Sequence, residues 1–91
     1  MAMREEMEHV LKQMLRALAL ETRSRLGLTQ KEMSELLSMG ERSYYDIESG
    51  NYKCGTLTAF LLLVMQEDPD LFLDTVREEF DRILEKEMQL T

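Results

Sequence analysis

Apolar residues near the start of the chain recur at intervals of three and four: Met3, Met7, Val10, Leu11, Met14 and Leu18. This is the period of a helix with one apolar face, and it predicts a first helix running to about Arg25. The next start is marked by Thr29 and Glu32, a T-x-x-E capping box flanked by Leu28 and Met33, which stand where a hydrophobic staple would close. Met33, Leu36 and Leu37 supply the buried side of this second helix. A third begins just after Gly40 and stops at Gly50, with Tyr44 and Ile47 turned to the core. A fourth covers about Thr56 to Gln66, where Leu57, Phe60, Leu61 and Val64 are spaced for burial. Leu62, Leu63 and Met65 make that helix apolar nearly all round, which predicts a central position. The fifth opens with Asp68 as N-cap and Pro69 at the first helical position, and Asp70 favours the dipole of its first turn. Phe72, Val76, Phe80, Ile83 and Leu84 form its stripe over about five turns.

No two alternating segments flank a hairpin turn, and the breakers are few: glycines at 27, 40, 50 and 55 and one proline at 69. The expected fold is therefore all-α with five helices. At 91 residues the chain suits a single helical domain, 1–91.

Charge and cysteine usage narrow the function classes. Acids outnumber bases 18 to 11, and the net charge of −7 argues against indiscriminate coating of nucleic acid or anionic membrane. The excess is uneven. Arg16 to Lys53 holds six bases against six acids, whereas Glu67 to Met88 holds nine acids against three bases. One cysteine, Cys54, and one histidine, His9, exclude an internal disulfide framework and a zinc site, so no metal or cofactor is expected. His9 reads as a surface residue and Cys54 as a small, semi-buried one. The first residues lack an apolar signal region, and the longest apolar run, Ala59 to Met65, is far short of a membrane span. A cytoplasmic protein without membrane attachment is the expectation. No carboxylate pair, glycine-rich phosphate loop or thiol with an evident base suggests an enzyme.

The most informative stretch is Gln30 to Ser49, QKEMSELLSMGERSYYDIES, two short helices separated by a turn around Ser38, Met39 and Gly40. It resembles the helix-turn-helix of the phage-repressor and Cro-like, Xre-type transcription regulators. Met33, Leu37, Met39, Tyr44 and Ile47 match that family's apolar positions, Ser34 its small-residue position, and Ile47, Glu48 and Gly50 its I-E-x-G ending. The likeness extends over about Leu18 to Met65. The chain departs from the pattern at Ser38, where the family usually has glycine, and at Tyr44, where a β-branched aliphatic is usual. Ser38 must then reach the turn conformation at some cost, and a buried Tyr44 must direct its hydroxyl to water or a partner.

The resemblance implies a lambda-repressor-like DNA-binding domain with its core over 16–66 and its motif at 30–49. The helix after Gly40 would enter the major groove, with Glu41, Arg42, Tyr45 and Asp46 reaching base edges. Arg42 could donate two hydrogen bonds to guanine, while Glu41 or Asp46 could accept from cytosine. Gln30 and Lys31, at the start of the preceding helix, are expected on phosphates, with Arg23, Arg25 and Lys53 as further backbone contacts.

Segments 1–15 and 67–91 exceed what such a unit needs. Their stripes, carried by Met7, Leu11, Met14, Val76, Phe80 and Ile83, could form a homodimer interface, or could pack on each other within one chain. Two function classes follow: a dimeric regulator bound to a double-stranded DNA operator, or a helical protein-interaction module, such as an antitoxin or anti-regulator, with a repurposed motif. Gln30, Lys31 and Arg42 at the contact positions favour DNA; Glu41 and Asp46 favour the other class.

Overall fold

The computed structural model describes residues 2–51 and 55–89, among which the chain forms five helices and no strand. They are α1 (Ala2–Leu26), α2 (Gln30–Leu36), α3 (Glu41–Glu48), α4 (Thr56–Val64) and α5 (Pro69–Gln89). This is the expected all-α, five-helix fold.

Local chemistry sets the boundaries. Both halves of the Thr29 capping box form: the Glu32 N–H donates to Thr29 Oγ1 at 3.1 Å, and the Thr29 N–H donates to Glu32 Oε1 at 2.9 Å. At the start of α5, Asp68 Oδ1 accepts from the Leu71 N–H at 3.1 Å, while Pro69 occupies a position whose N–H would have no helical partner. The end of α3 is closed by a Schellman motif, with the Asn51 N–H on the Asp46 carbonyl and the Gly50 N–H on the Ile47 carbonyl. Gly50 sits at φ +77°, where an L side chain is strained, and a Cβ there would stand 3.3 Å from the end of the Gln13 side chain of α1. Glycine is thus favoured here for its conformation. The same motif closes α2, where Met39 donates to Ser34 and Ser38 to Glu35, but the left-handed position is filled by Ser38 at φ +55°.

The long α1 is the axis on which α3, α4 and α5 pack, and α2 rests on α3. The core joins Leu15, Leu18 and Ala19 of α1 to Met33, Leu37, Tyr44, Ile47 and Leu62. The apolar face of α1 is broader than its sequence period suggests, because Leu15, Ala19 and Thr22 are buried while Met3, Met7, Val10, Leu11 and Met14 are only partly covered. Thr22 is accommodated by a hydrogen bond from Gln66 Nε2 at 3.0 Å.

One alternative left open by the sequence is visible here, and one expectation changes. The stripes of α1 and α5 face each other within the chain, running antiparallel, with Lys86 of α5 3.4 Å from Glu6 of α1. Ile83 is buried in this pairing, and Met7, Leu11, Met14, Val76 and Phe80 are partly covered. Of the two arrangements that the sequence leaves open for these six residues, the chain shows the packing of α1 on α5 within one copy. α4, however, is not central. Only Leu62 is fully buried, while Leu57, Phe60 and Val64 are 70%, 59% and 52% exposed. α1 and α5 pack against α4, and the face that carries Leu57, Phe60 and Val64 stays exposed.

The strain at Ser38 is testable. A non-glycine residue in the left-handed region costs roughly 1–2 kcal/mol, of which glycine's greater freedom in the unfolded chain takes back part. Ser38→Gly should stabilise the fold by about 0.5–1 kcal/mol in urea unfolding, whereas Ser38→Val should destabilise it.

Candidate nucleic-acid interface

α2 and α3 are joined by Leu37 to Gly40, a turn whose reversal depends on the positive φ of Ser38. Gly40 caps α3 in an extended conformation without a side-chain hydrogen bond. Ser34 is buried between the two helices, its hydroxyl turned back to the Lys31 carbonyl at 2.7 Å. The pair therefore forms a helix-turn-helix unit fixed to α1 through α3.

What fixes α3 is a buried carboxylate. Glu48 follows Tyr44 by four residues and Ile47 by one, so it lies on the inner face of the helix and is 8% exposed. Arg23 of α1 grips it with two bonds, Nε to Oε2 at 2.6 Å and Nη2 to Oε1 at 3.1 Å. Gln30 of α2 donates Nε2 to Oε1 at 3.0 Å, and the hydroxyl of the wholly buried Tyr44 donates to Oε2. Arg23 also donates Nη1 to the Leu28 carbonyl at 3.2 Å, and Arg16 donates Nε to the Glu48 carbonyl at 2.9 Å. One carboxylate thus ties three helices together. Among the described residues, no buried side-chain polar atom lacks a partner.

The electrostatics follow from this geometry. Burial pushes the Glu48 carboxyl up, but hydrogen bonds from Arg23, Gln30 and Tyr44 outweigh it and hold the group below the usual carboxylate range. Burial, then the hydrogen bond to Glu48, drives the Tyr44 hydroxyl well above its ordinary value, so it remains a proton donor. The buried Tyr44 hydroxyl thereby has the partner that burial requires.

The outer face of α3 presents Glu41, Arg42, Ser43 and Tyr45 to solvent, with Asp46 half-buried at its edge. All four residues expected at base edges stand on this side. The Arg42 side chain is 88% exposed, and its Nε lies 3.5 Å from Asp46 Oδ1. Such an exposed pair in high dielectric contributes little, so Arg42 can exchange Asp46 for another acceptor cheaply.

The residues expected on phosphates divide differently. Lys31 is exposed on the first turn of α2. Gln30 and Arg23, by contrast, are turned inward to Glu48, where their amide and guanidinium groups offset a buried charge. Arg25 holds the end of α4, donating Nη2 to the Met65 carbonyl at 2.6 Å and standing 3.4 Å from Glu67. In these three residues the side chain is hydrogen-bonded within the chain. Lys53, like Cys54, lies outside the described residues.

The Glu48 network is the feature that sequence reasoning missed. The signal was present in the stripe Tyr44, Ile47, Glu48, whose spacing of three and four turns an acid inward and so demands a cation from another helix.

Among the described residues, no group of His, Cys, Asp and Glu stands ready to hold a metal, and no helix is long and apolar enough to cross a membrane. Comparison with protein-family models, with curated proteins and with solved structures finds no match to this chain.

Two outcomes test the network. Replacing Arg23 with leucine leaves Glu48 buried without its cation, and should cost roughly 2–4 kcal/mol; this is less than for a wholly buried pair because 27% of the Arg23 side chain is exposed and Gln30 and Tyr44 still donate. The pH dependence has a definite sign. A carboxyl whose value is depressed by folding stabilises the native state fully above its unfolded value, about 4.3, and loses that contribution as pH falls through the folded value. Urea unfolding should show stability falling below about pH 4. Glu48→Gln should flatten that fall, leaving the part contributed by Glu32, which its capping-box bonds with Thr29 also hold low. An unchanged slope in Glu48→Gln would remove Glu48 as its source.

Proposed function

We propose that this chain is a sequence-specific, double-stranded DNA-binding transcription regulator that enters the major groove with α3. The observation carrying this reading is the division of α3 into two faces. Its inner face is held by Tyr44, Ile47 and the Glu48 network, while Glu41, Arg42 and Tyr45 project outward. A groove-reading helix needs this arrangement, since base contacts have directional value only when the helix bearing them is fixed. Arg42 reads guanine through two donors, Tyr45 meets a thymine methyl or a phosphate, and Glu41 or Asp46 accepts from cytosine. Lys31 takes a backbone phosphate. The net charge of −7 suits a protein that binds chosen sequences and is repelled elsewhere.

A single eight-residue helix reaches few base pairs, so the binding unit is a homodimer. A twofold pair would present its α3 helices about 34 Å apart, one turn of DNA, and select a near-palindromic site.

One observation favours a second reading, a protein-interaction module such as an antitoxin or anti-regulator. The outer face of α3 carries Glu41 and Asp46 against Arg42 alone, and Arg42 already lies beside Asp46.

Selection from a random pool of duplexes at fixed salt separates the two. The regulator should enrich a near-palindrome, and no enrichment would sink the DNA reading in favour of the module. Arg42→Ala should relax discrimination at one base pair of each half-site by about 1–3 kcal/mol. Lys31→Ala should weaken all sequences evenly and make the logarithmic salt slope shallower by roughly one. Equal effects of both substitutions on every duplex would contradict these roles.

A further inference from the structure

We propose that the exposed face of α4, formed by Leu57, Phe60 and Val64, is the surface on which two copies of this chain pair. This deepens the homodimer part of the reading above and rests on that part alone, being independent of whether α3 binds DNA.

The three residues stand at intervals of three and four, so they form one stripe, with Phe60 in its middle. They are 70%, 59% and 52% exposed, while the opposite side of the helix holds the buried Leu62. An aromatic anchor between two aliphatic side chains has the composition of an interface centre.

Charge identifies the occupant. Each copy carries −7, and two copies approaching at α5 would bring its dense acids together. α4, TLTAFLLLV, has no charged residue at all. It is the helix at which this chain can meet its own kind without adding like charge to like charge. A basic partner would gain nothing from this helix, whereas an uncharged apolar stripe complements it, and each copy supplies one. Twofold symmetry then sets stripe against stripe.

Area indicates how tightly. The three side chains expose on the order of 300 Å² of apolar surface per copy. Each side of a standard interface buries roughly 450 Å² of such surface. The stripe supplies most of that, which points to a reversible dimer in the micromolar range rather than an obligate one. Because α4 follows α3 after a short connection, pairing at α4 would also fix the spacing of the two α3 helices.

Sedimentation equilibrium of the full chain without DNA, from about 5 to about 200 μM, tests this. The wild-type mass should rise from 10.7 kDa towards twice that value. Phe60→Glu should raise the dimer dissociation constant about thirtyfold, the effect of losing an interface anchor. Its helicity by circular dichroism should not change, since the side chain is already more than half exposed. Leu57→Glu, at the most exposed position of the stripe, provides a second variant should Phe60→Glu disturb folding. Leu71→Glu, which replaces a leucine of α5 that is 63% exposed, should leave pairing within about twofold of wild type. Three results would each overturn the proposal: a wild-type mass of one chain throughout, undiminished pairing in folded Phe60→Glu or Leu57→Glu, or equal loss in Leu71→Glu. A monomer that still selects a DNA sequence would defeat this inference and spare the DNA reading; a dimer that selects none would do the reverse.

Discussion

The fold turns on the Glu48 carboxylate, buried at the junction of α1, α2 and α3 and held by Arg23, Gln30 and Tyr44. A hydrophobic core is permissive about rotation and sliding, because one apolar contact can replace another at small cost. A buried charge is not, since any movement that loses a donor leaves it unsatisfied. The network thus supplies the angular precision that Met33, Leu37 and Ile47 alone cannot. Arg16 extends the control by engaging the Glu48 carbonyl at the end of the same helix.

The cations follow a pattern as well. Arg16, Arg23 and Arg25 all lie on α1, and each bonds to a main-chain or side-chain acceptor of another helix or its flanking residues. These three arginines are engaged within the chain, and on α2 and α3 the exposed cations are Lys31 and Arg42. Any anion bound there meets a sparse positive surface, and its recognition must rest on geometry more than on attraction at a distance.

Local features were legible in the sequence because their physics is local. The Thr29–Glu32 box, the Asp68–Pro69 start and the left-handed endings at Ser38 and Gly50 each depend on residues a few positions apart, and each stands where the sequence placed it. The tertiary features were legible only in part. Apolar spacing says which residues can be buried and says nothing of whether another element exists to cover them, so Leu57, Phe60 and Val64 read as core when they are surface. The same limit left open whether the stripes of α1 and α5 met each other or another copy. On the candidate site, the outward positions Glu41, Arg42 and Tyr45 follow from the apolar phase of α3. The inward turn of Arg23 and Gln30 could not be seen until Glu48 was recognised as a member of that apolar stripe.

The antiparallel pairing of α1 with α5 joins residues as far apart in the chain as Glu6 and Lys86. Contacts of such long separation close the largest loop in the molecule, and their entropic cost is recovered only once the rest is in place. The helices bound to Glu48 are linked by shorter connections and can assemble first. If those helices do assemble first, the beginning of α1 would project with its methionine-rich face bare until α5 covered it, and the arrival of α5 would set how long the chain stays exposed to unwanted partners.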